Sequence, residues 1–171
     1  MVDGREKTEA ALRESEGNYR MLFDRAGEGM LVADIETMAF RYANPAICEM
    51  LGYTRDELTE MDVTAMHPKA SLERVIAEFQ AQARGEKALV RDVPCLRKDG
   101  TVVYADIRTT RVDIEGRPCN VGFFADVTEH RRDQAIIQEQ ARALDLCFRY
   151  TLDCVVLLDW DLARTPGHRR H

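Results

Sequence analysis

The sequence of 171 residues has few of the features that mark extracellular, membrane or low-complexity proteins. Its five cysteines are odd in number and include no Cys-x-x-Cys pair, so we expect neither a disulfide framework nor a structural zinc site. The longest continuous apolar stretch, Cys154 to Leu158, is far shorter than the roughly 20 residues of a membrane helix. The N-terminus also lacks the apolar core of a signal peptide. These absences predict a cytoplasmic protein without a membrane segment, whose cysteines are small buried apolar residues.

The sequence also lacks an excess of positive charge. Its 30 acidic and 24 basic residues give a net charge of −6, which argues against a nucleic-acid-binding protein. Hydrophobic residues make up 45% and charged residues 32%, a composition typical of a globular protein with long helices. The length predicts one domain of ordinary size and a remainder.

Signatures of common enzymes are missing as well. Phosphate-binding loops of the form GxxxxGK[ST] do not occur, and Gly27-Glu28-Gly29 lacks the third glycine of a dinucleotide-binding turn. Neither HExxH nor GxSxG is present. His168 and His171 form an HxxH in a basic tail without a nearby carboxylate or cysteine, which is a weak metal signal. We therefore predict no catalytic residues and no metal site.

Two further side chains have both a functional and a plain structural interpretation. His67 can be a haem ligand or a pH sensor, but its place directly before Pro68 is more typical of the start of a helix. Cys48 can be a reactive thiol, but on a helix face with Ile47 and Leu51 it is more typical of packing.

The first half of the sequence predicts two strands followed by several helices. Asn44 can cap a helix and Pro45 fits its first turn, while Gly52 is the usual residue just past a helix end. Thr54 with Glu57 three residues later forms a capping box. The predicted elements are a helix over 7–26, strands over 29–35 and 40–43, helices over 45–51 and 54–58, and a long helix from His67-Pro68 to Gly85.

The second half changes to a period of two residues, which is typical of strands. Strands are predicted over 89–96, 101–112 and 119–125, and Asp99-Gly100 is a strong hairpin signal. Pro94 inside the first of them predicts an edge strand or a bulge. The order of elements indicates an α+β fold with one antiparallel sheet and helices on one face.

A further helix is predicted after this sheet. Either Asp126 or Thr128 can cap it. An apolar heptad pattern indicates a short coiled coil, although His130 and Gln134 weaken it and a single helix packed on its own domain fits nearly as well. The apolar positions are Val127, Ile137, Ala141, Leu144 and Phe148.

The last segment contains the one internal repeat. MLFDRAGEGMLVAD (21–34) aligns without a gap with LCFRYTLDCVVLLD (146–159), and each copy places a phenylalanine eleven residues before an aspartate. In each copy a predicted apolar strand directly precedes the aspartate, in the second over Cys154 to Leu158. The repeat predicts the start of a second copy of the same module, which the sequence cuts short.

Five motifs in register resemble the PAS domain with its C-terminal PAC portion. They are NYRMLFDRAGEGMLVAD (18–34), YANPAICEMLGYTRDEL (42–58), MHPKASLERVIAEF (66–79), LRKDGTVVYADI (96–107) and FFADVTEHRR (123–132). The resemblance covers about two thirds of the chain and divides it into an N-terminal flanking helix (1–17), the PAS/PAC domain (18–128), a linker helix (129–149) and the incomplete start of a second PAS domain (150–171).

The resemblance implies a five-stranded antiparallel sheet whose helices enclose a small cavity. Members sense ligands, light, oxygen or redox state, or dimerise and relay signals, upstream of bacterial histidine kinase or cyclic-dinucleotide output domains. No such output motif is present in the sequence, so the chain itself is expected not to be an enzyme.

The flavin-binding members' cysteine motif is missing from 59–68, and residues 69–84 contain no histidine, which disfavours flavin–cysteine chemistry and His-ligated haem. The cofactor, if any, is not named by the sequence.

Two hypotheses of function follow. In the first, a small ligand occupies a cavity, and the helix and strand periods place its wall at Met30, Val32, Tyr42, Ile47, Met66, Val75, Phe79, Val103, Ala105, Val121 and Phe123. The same residues can instead form a filled core. Output passes through the join at Asp126 and Thr128, with Phe123 and Ala125 facing the helix layer.

In the second hypothesis, the chain is a homodimerising relay without a ligand, coupled to the same downstream output domain.

Overall fold

The computed structural model describes the backbone of residues 4–163 and the side chains of 7–149 apart from positions 10 and 12. The chain divides into two compact units, Met1–Thr128 and Glu129–His171. Among the described residues, no helix has the length and apolar character needed to cross a membrane. The elements are α1 (Gly4–Arg25), β1 (Gly29–Asp34), β2 (Phe40–Ala43), α2 (Pro45–Leu51), α3 (Arg55–Thr59), α4 (Leu72–Ala83), β3 (Leu89–Leu96), β4 (Val102–Ile114), β5 (Arg117–Asp126) and α5 (Thr128–Ala163).

The five strands form one antiparallel sheet in the spatial order β2-β1-β5-β4-β3. The two long hairpins β3–β4 and β4–β5 follow the chain, while β1 pairs with β5 and brings the two ends of the domain to the centre of the sheet. Helices α2, α3 and α4 lie in the sequence between β2 and β3. The predicted α+β class and five-stranded antiparallel sheet are therefore confirmed.

The hydrophobic core lies between one face of the sheet and these helices. Leu31 and Ala33 from β1 and Ile107 from β4 meet Ile47 of α2 and Phe79 of α4 in one buried cluster. Alternate residues of a strand point to opposite faces, so this cluster defines the inner face of the sheet.

Strand β3 has the irregularity that Pro94 predicts. It lies at the edge of the sheet, and its pairing with β4 shifts between Val90 and Val93, where Asp92 adopts a φ of 53°. A proline has no N–H for a ladder, so an edge strand with a bulge is where it is tolerated.

Several expected boundaries differ from the structure, among them the start of the long helix and the ends of β4 and β5. The long helix begins as a 3₁₀ turn at Lys69–Ser71 and becomes α-helical at Leu72, later than His67-Pro68. Strands β4 and β5 extend to Ile114 and from Arg117, so that only Glu115 and Gly116 connect them, both with positive φ. This two-residue connection matches the twist of the flanking strands and lets the hairpin extend to its end.

The strand predicted over Cys154 to Leu158 is wrong. The backbone of α5 is helical from Thr128 to Ala163. A short apolar run has no periodicity of its own that separates strand from helix, and the segment contains no glycine or proline to interrupt the helix before it. The assignment of residues 150–171 to a second copy of the domain stays a prediction, and 164–171 lie outside the described residues.

Candidate functional site

A cavity of about 60 Å³ lies between α4, the segment from Val63 to His67 and the inner face of the sheet. Most of its wall is apolar. Its lining residues are Leu31, Ala33, Phe40, Val63, Met66, His67, Arg74, Val75, Glu78, Phe79, Gln82, Val90, Val93, Pro94, Ile107, Thr109, Asn120, Gly122 and Phe124.

The structure places part of the predicted wall at this cavity. Met66, Val75 and Phe79 line it. Three other predicted residues are fully or almost fully buried in the surrounding core but do not line the cavity, namely Ile47, Val103 and Ala105. The helix period and the period of β4 thus identify the correct face.

The predicted facing of β1 and β5 is wrong. Met30 and Val32 alternate with the cavity residues Leu31 and Ala33, and Val121 and Phe123 alternate with Asn120, Gly122 and Phe124. A shift of one position moves every side chain of a strand to the other face. Strand β1 is apolar on both faces, whereas β5 turns Asn120 and Gly122 inward and the more apolar residues Val121 and Phe123 outward, opposite to the expectation from hydrophobicity.

Strand β2 also departs from the prediction. Tyr42 is 42% exposed and pairs with Val32 at the point where the register of β1 and β2 shifts. Phe40, on the other side of that shift, lines the cavity. The irregular pairing, which no strand period encodes, therefore decides which aromatic side chain of β2 faces inward.

Three buried polar side chains in the cavity wall were missed as site residues. His67, interpreted from sequence as a helix start, is buried, and its Nδ1 donates to Pro94 O at 2.6 Å. Burial lowers the pKa of His67 below its usual value, and the Pro94 carbonyl opposes this only in part. Gln82 Nε2 donates to Ile107 O at 3.3 Å. Asn120 is 2% exposed, and its Nδ2 and Oδ1 have no hydrogen-bond partner among the described residues.

Two charged side chains line the cavity, and both form hydrogen bonds with groups outside it. Arg74 is exposed and donates to Arg91 O at 3.0 Å. Glu78 accepts hydrogen bonds from Lys87 Nζ. Arg74 and Glu78 are the cationic and carboxylate side chains among the described lining residues, and both have these partners outside the apolar wall.

Asn44 ties the start of the domain together. Its Oδ1 accepts from Ile47 N at 3.0 Å, which caps α2, and from Met30 N at 2.8 Å. Its Nδ2 donates to Glu28 O and Phe23 O. Pro45 occupies the first turn of α2. One buried amide therefore joins the end of α1, the start of β1 and the helix α2.

The predicted relay join is a hydrogen-bonded turn. Asp126 Oδ1 accepts from Thr128 N at 2.9 Å, and Thr128 Oγ1 accepts from Tyr104 N at 2.9 Å. Val127 N donates to Tyr104 O at 2.8 Å. The first turn of α5 thus continues the β4–β5 ladder. The expected inward facing of Phe123 and Ala125 is wrong, since Phe124 lines the cavity between them.

The expectations about cysteine reactivity and metal binding are compared with the structure for the described residues. Burial raises the pKa of Cys48, which favours packing over a reactive thiol. Among residues with described side chains, no group of three His, Cys, Asp or Glu is placed to hold a metal ion. His168 and His171 lie outside the described residues.

Comparison with known proteins identifies the domain. The family model of the PAS fold matches residues 40–124. The chain is similar to a methyl sulfide methyltransferase-associated sensor of Methanosarcina acetivorans, with 22% identity over 71% of this chain and 12% of that protein. It is also similar to sensor protein TdiS of Thauera aromatica, with 23% identity over 81% of this chain and 26% of that protein. The chain thus spans at most about a quarter of these relatives.

Solved structures show the same fold. A PAS domain of an HTR-like protein from Haloarcula marismortui superposes with a TM-score of 0.58 and 19% identity, over 71% of this chain and 98% of that one. A PAS domain from Desulfitobacterium hafniense gives a TM-score of 0.56 and 22% identity, over 60% and 95%. The sheet order, the helices between β2 and β3 and the family match agree, and the chain contains a PAS sensory domain.

Proposed function

We propose that this chain is the sensor and relay module of a larger bacterial signal-transduction protein such as a histidine kinase. A small molecule binds in the cavity between α4 and the sheet, and its presence changes the position or dynamics of α5. Residues 150–171 belong to the next PAS domain in this proposal, and an output domain follows further along. The relatives' names, both of which describe sensors, support this role.

The observation that carries the proposal is the unfilled space beside a buried, unpaired amide. Protein interiors are close-packed, and their buried polar groups are almost always hydrogen-bonded. Here a cavity of about 60 Å³ adjoins Asn120, whose side-chain atoms have no partner among the described residues. A binding module requires a cavity whose space is filled, and whose polar groups are hydrogen-bonded, only when a ligand is bound.

The relay part of the proposal is supported by the backbone of β4. Tyr104 accepts from Val127 N and donates to Thr128 Oγ1, and it lies between Val103 and Ala105 of the core. A displacement of β4 by a ligand therefore acts on the first turn of α5 through hydrogen bonds as well as through the chain.

Ligand binding is tested on the gently purified chain by native mass spectrometry, followed by a thermal-shift screen of small metabolites. We expect either a co-purified mass that denaturation releases or a saturable rise in melting temperature. Absence of both contradicts sensing. A Phe79→Trp variant, which fills the cavity from α4, should lose the response. Tyr42→Phe, at an exposed position of β2 outside the cavity, should keep it.

The relay is tested in the chain fused to the catalytic region of a histidine kinase. Thr128→Val removes the acceptor of Tyr104 N and should change basal autophosphorylation while circular dichroism shows a folded domain. Thr110→Val, an exposed change on the same strand β4, should leave output unchanged. Output that follows only the amount of folded protein in both variants contradicts the relay.

A second candidate, a ligand-free homodimerising relay, is favoured by one feature of α5. Ile137, Leu144 and Phe148 are 64%, 59% and 67% exposed in the single chain. Together with Ala141 they recur at spacings of four, three and four residues, which places them on one side of a helix. A second copy of α5 would cover this stripe.

Light scattering with matched charge substitutions tests the dimer. Leu144→Glu places a charge in the stripe and should convert a dimer into a monomer. Leu146→Glu adds the same charge on the opposite side of α5, where Leu146 is similarly exposed, and should leave the mass unchanged. A wild-type chain that is monomeric at high concentration contradicts this candidate.

A further inference from the structure

Asn120 is a buried polar side chain that forms no hydrogen bond with any described residue. Its backbone pairs within the sheet with Ala33 of β1 and Arg111 of β4. Its side chain is 2% exposed, and neither the amide nitrogen nor the amide oxygen has a hydrogen-bond partner among the described residues. Asn44, which is also fully buried, by contrast uses both ends of its amide in hydrogen bonds.

The cavity beside Asn120 is bordered by a position, Gly122, that leaves no room for a side chain. Gly122 lies two residues further on the same face, and a Cβ there would come within 2.9 Å of the Phe124 ring. The ring thus lies over a glycine backbone, and the space beside Asn120 remains part of the cavity. The nearby polar groups of His67 and Gln82 already donate to Pro94 O and Ile107 O.

The charge around the amide restricts the ligand to a neutral molecule. Arg74 is exposed and donates to a backbone carbonyl, and Glu78 pairs with Lys87. Burial lowers the pKa of His67, which favours the neutral imidazole. An ion in this cavity would lose its hydration without meeting a buried counter-charge, which is strongly unfavourable.

The size and shape of the free space limit the ligand further. An apolar cavity of about 150 Å³ accommodates benzene, whereas this cavity measures about 60 Å³. Only a few non-hydrogen atoms fit without movement of the wall. Whichever way the Asn120 amide is oriented, it presents a donor and an acceptor side by side.

We propose that the cavity binds a small neutral molecule of the carboxamide or urea class, which forms a pair of hydrogen bonds with the side-chain amide of Asn120. The proposal rests on the ligand-sensing function above and names its ligand chemistry. The N–H donor and the C=O acceptor of the ligand, both bonded to one carbon, meet the acceptor and donor of Asn120. The rest of the ligand contacts the apolar wall, including Val75 and Phe79.

Three molecules of nearly equal shape test this chemistry by NMR titration of the ¹⁵N-labelled chain. Acetamide has both a donor and an acceptor, acetone has only an acceptor, and acetate carries a charge. We expect acetamide to shift the Asn120 side-chain and Gly122 backbone signals saturably, with a millimolar dissociation constant because so few atoms make contact. Acetone and acetate should bind at least about tenfold more weakly, the loss of roughly one hydrogen bond.

Variants assign the effect to Asn120. Asn120→Leu should abolish saturable acetamide shifts at the cavity, while Val121→Thr, an isosteric change on the opposite face of the same strand, should bind acetamide like the wild type. Equal binding of acetamide and acetone to the wild type, or acetamide binding that survives Asn120→Leu, overturns the proposal. So does an Asn120 amide that contacts only long-lived water and responds to none of the three molecules.

Failure of the carboxamide proposal is distinguishable from failure of the ligand-sensing function. A different ligand that co-purifies with the chain or raises its melting temperature would retain the sensor function and reject the carboxamide class. Absence of every ligand response would reject both.

Discussion

At the scale of the residue, two asparagines show what a buried amide can do. Asn44 is fully buried and makes four hydrogen bonds, to the backbone of Phe23, Glu28, Met30 and Ile47. Asn120 is equally buried and makes none with the described side-chain and backbone groups. The first amide stabilises the fold, whereas the second lowers stability until something binds it.

Replacement of Asn44 by alanine should destabilise the domain by about 2–4 kcal/mol, since a cap is lost and buried backbone groups are left unpaired. Urea unfolding followed by circular dichroism measures the change. Thr54→Ala is the matched control: Thr54 also caps a helix, in a capping box with Glu57, but it is exposed. Its loss should cost only about 1 kcal/mol. Equal losses would show that the burial of Asn44 is unimportant.

Asn120→Leu should raise the stability of the ligand-free domain by about 1 kcal/mol, because an apolar side chain replaces an unpaired buried amide and has cavity space beside it. Asn120→Ala, which also removes the amide but enlarges the cavity, should gain less or lose stability. Chemical unfolding of both variants at one pH checks the order. A leucine variant less stable than alanine would mean that the amide is satisfied in the native state.

Acidification should destabilise the domain through His67. Its folded pKa lies below the usual value of 6.5, so the unfolded chain binds more protons and stability falls as pH drops from about 7 through that value. The Asp34 and Asp62 carboxyls, whose pKa values are lowered, lose their contribution at lower pH, near and below their usual 3.8. His67→Asn retains a donor for Pro94 O and should flatten the profile between pH 7 and 5.5. An unchanged slope in that variant would contradict the assignment.

At the scale of the element, the β4–β5 hairpin is set by its turn. Glu115 and Gly116 adopt φ values of 52° and 75°, the conformation of the tight two-residue turn. Glycine adopts this conformation freely, whereas glutamate adopts it at a cost in conformational free energy. The ion pair of Glu115 with Arg41 offsets little of this cost, because the glutamate side chain is 70% exposed.

Glu115→Asn should therefore be more stable than Glu115→Ala by about 0.5–1 kcal/mol, since both lose the ion pair and only asparagine tolerates positive φ well. Thermal and urea unfolding of the two variants measure the difference. Equal stability would indicate that the turn relaxes to another conformation.

At the scale of the whole molecule, thiol reactivity reports global opening. Cys95 and Cys119 have no exposed surface, and burial raises the pKa of Cys95 to about 12 and raises that of Cys119. Cys147 lies exposed on α5. Because the thiolate is the reactive form, the two buried cysteines react only when the domain unfolds.

A short pulse of iodoacetamide followed by peptide mass spectrometry should label Cys147 at least about a hundredfold faster than Cys95 and Cys119 in the native protein. In denaturant all three should react alike. Native labelling of Cys95 at the rate of Cys147 would mean that the β3 edge opens without global unfolding.

Much of the fold is local in origin and follows from short stretches of sequence. Asn44-Pro45 starts α2, Thr54 with Glu57 starts α3, and Asp99-Gly100 turns β3 into β4, each through groups within a few residues. The strand periods and the family motifs add the antiparallel sheet and the PAS fold.

The cavity wall was decided only by the tertiary structure. Strands β1 and β5 both have apolar residues on each of their faces, so their inward face depends on pairing at the centre of the sheet and on which side α4 packs. Asn120 has a polar side chain in a strand, which favours a solvent-facing position from sequence alone. Only the register with Ala33 and Arg111 turns it inward, because a strand's two faces are interchangeable until its neighbours are in place.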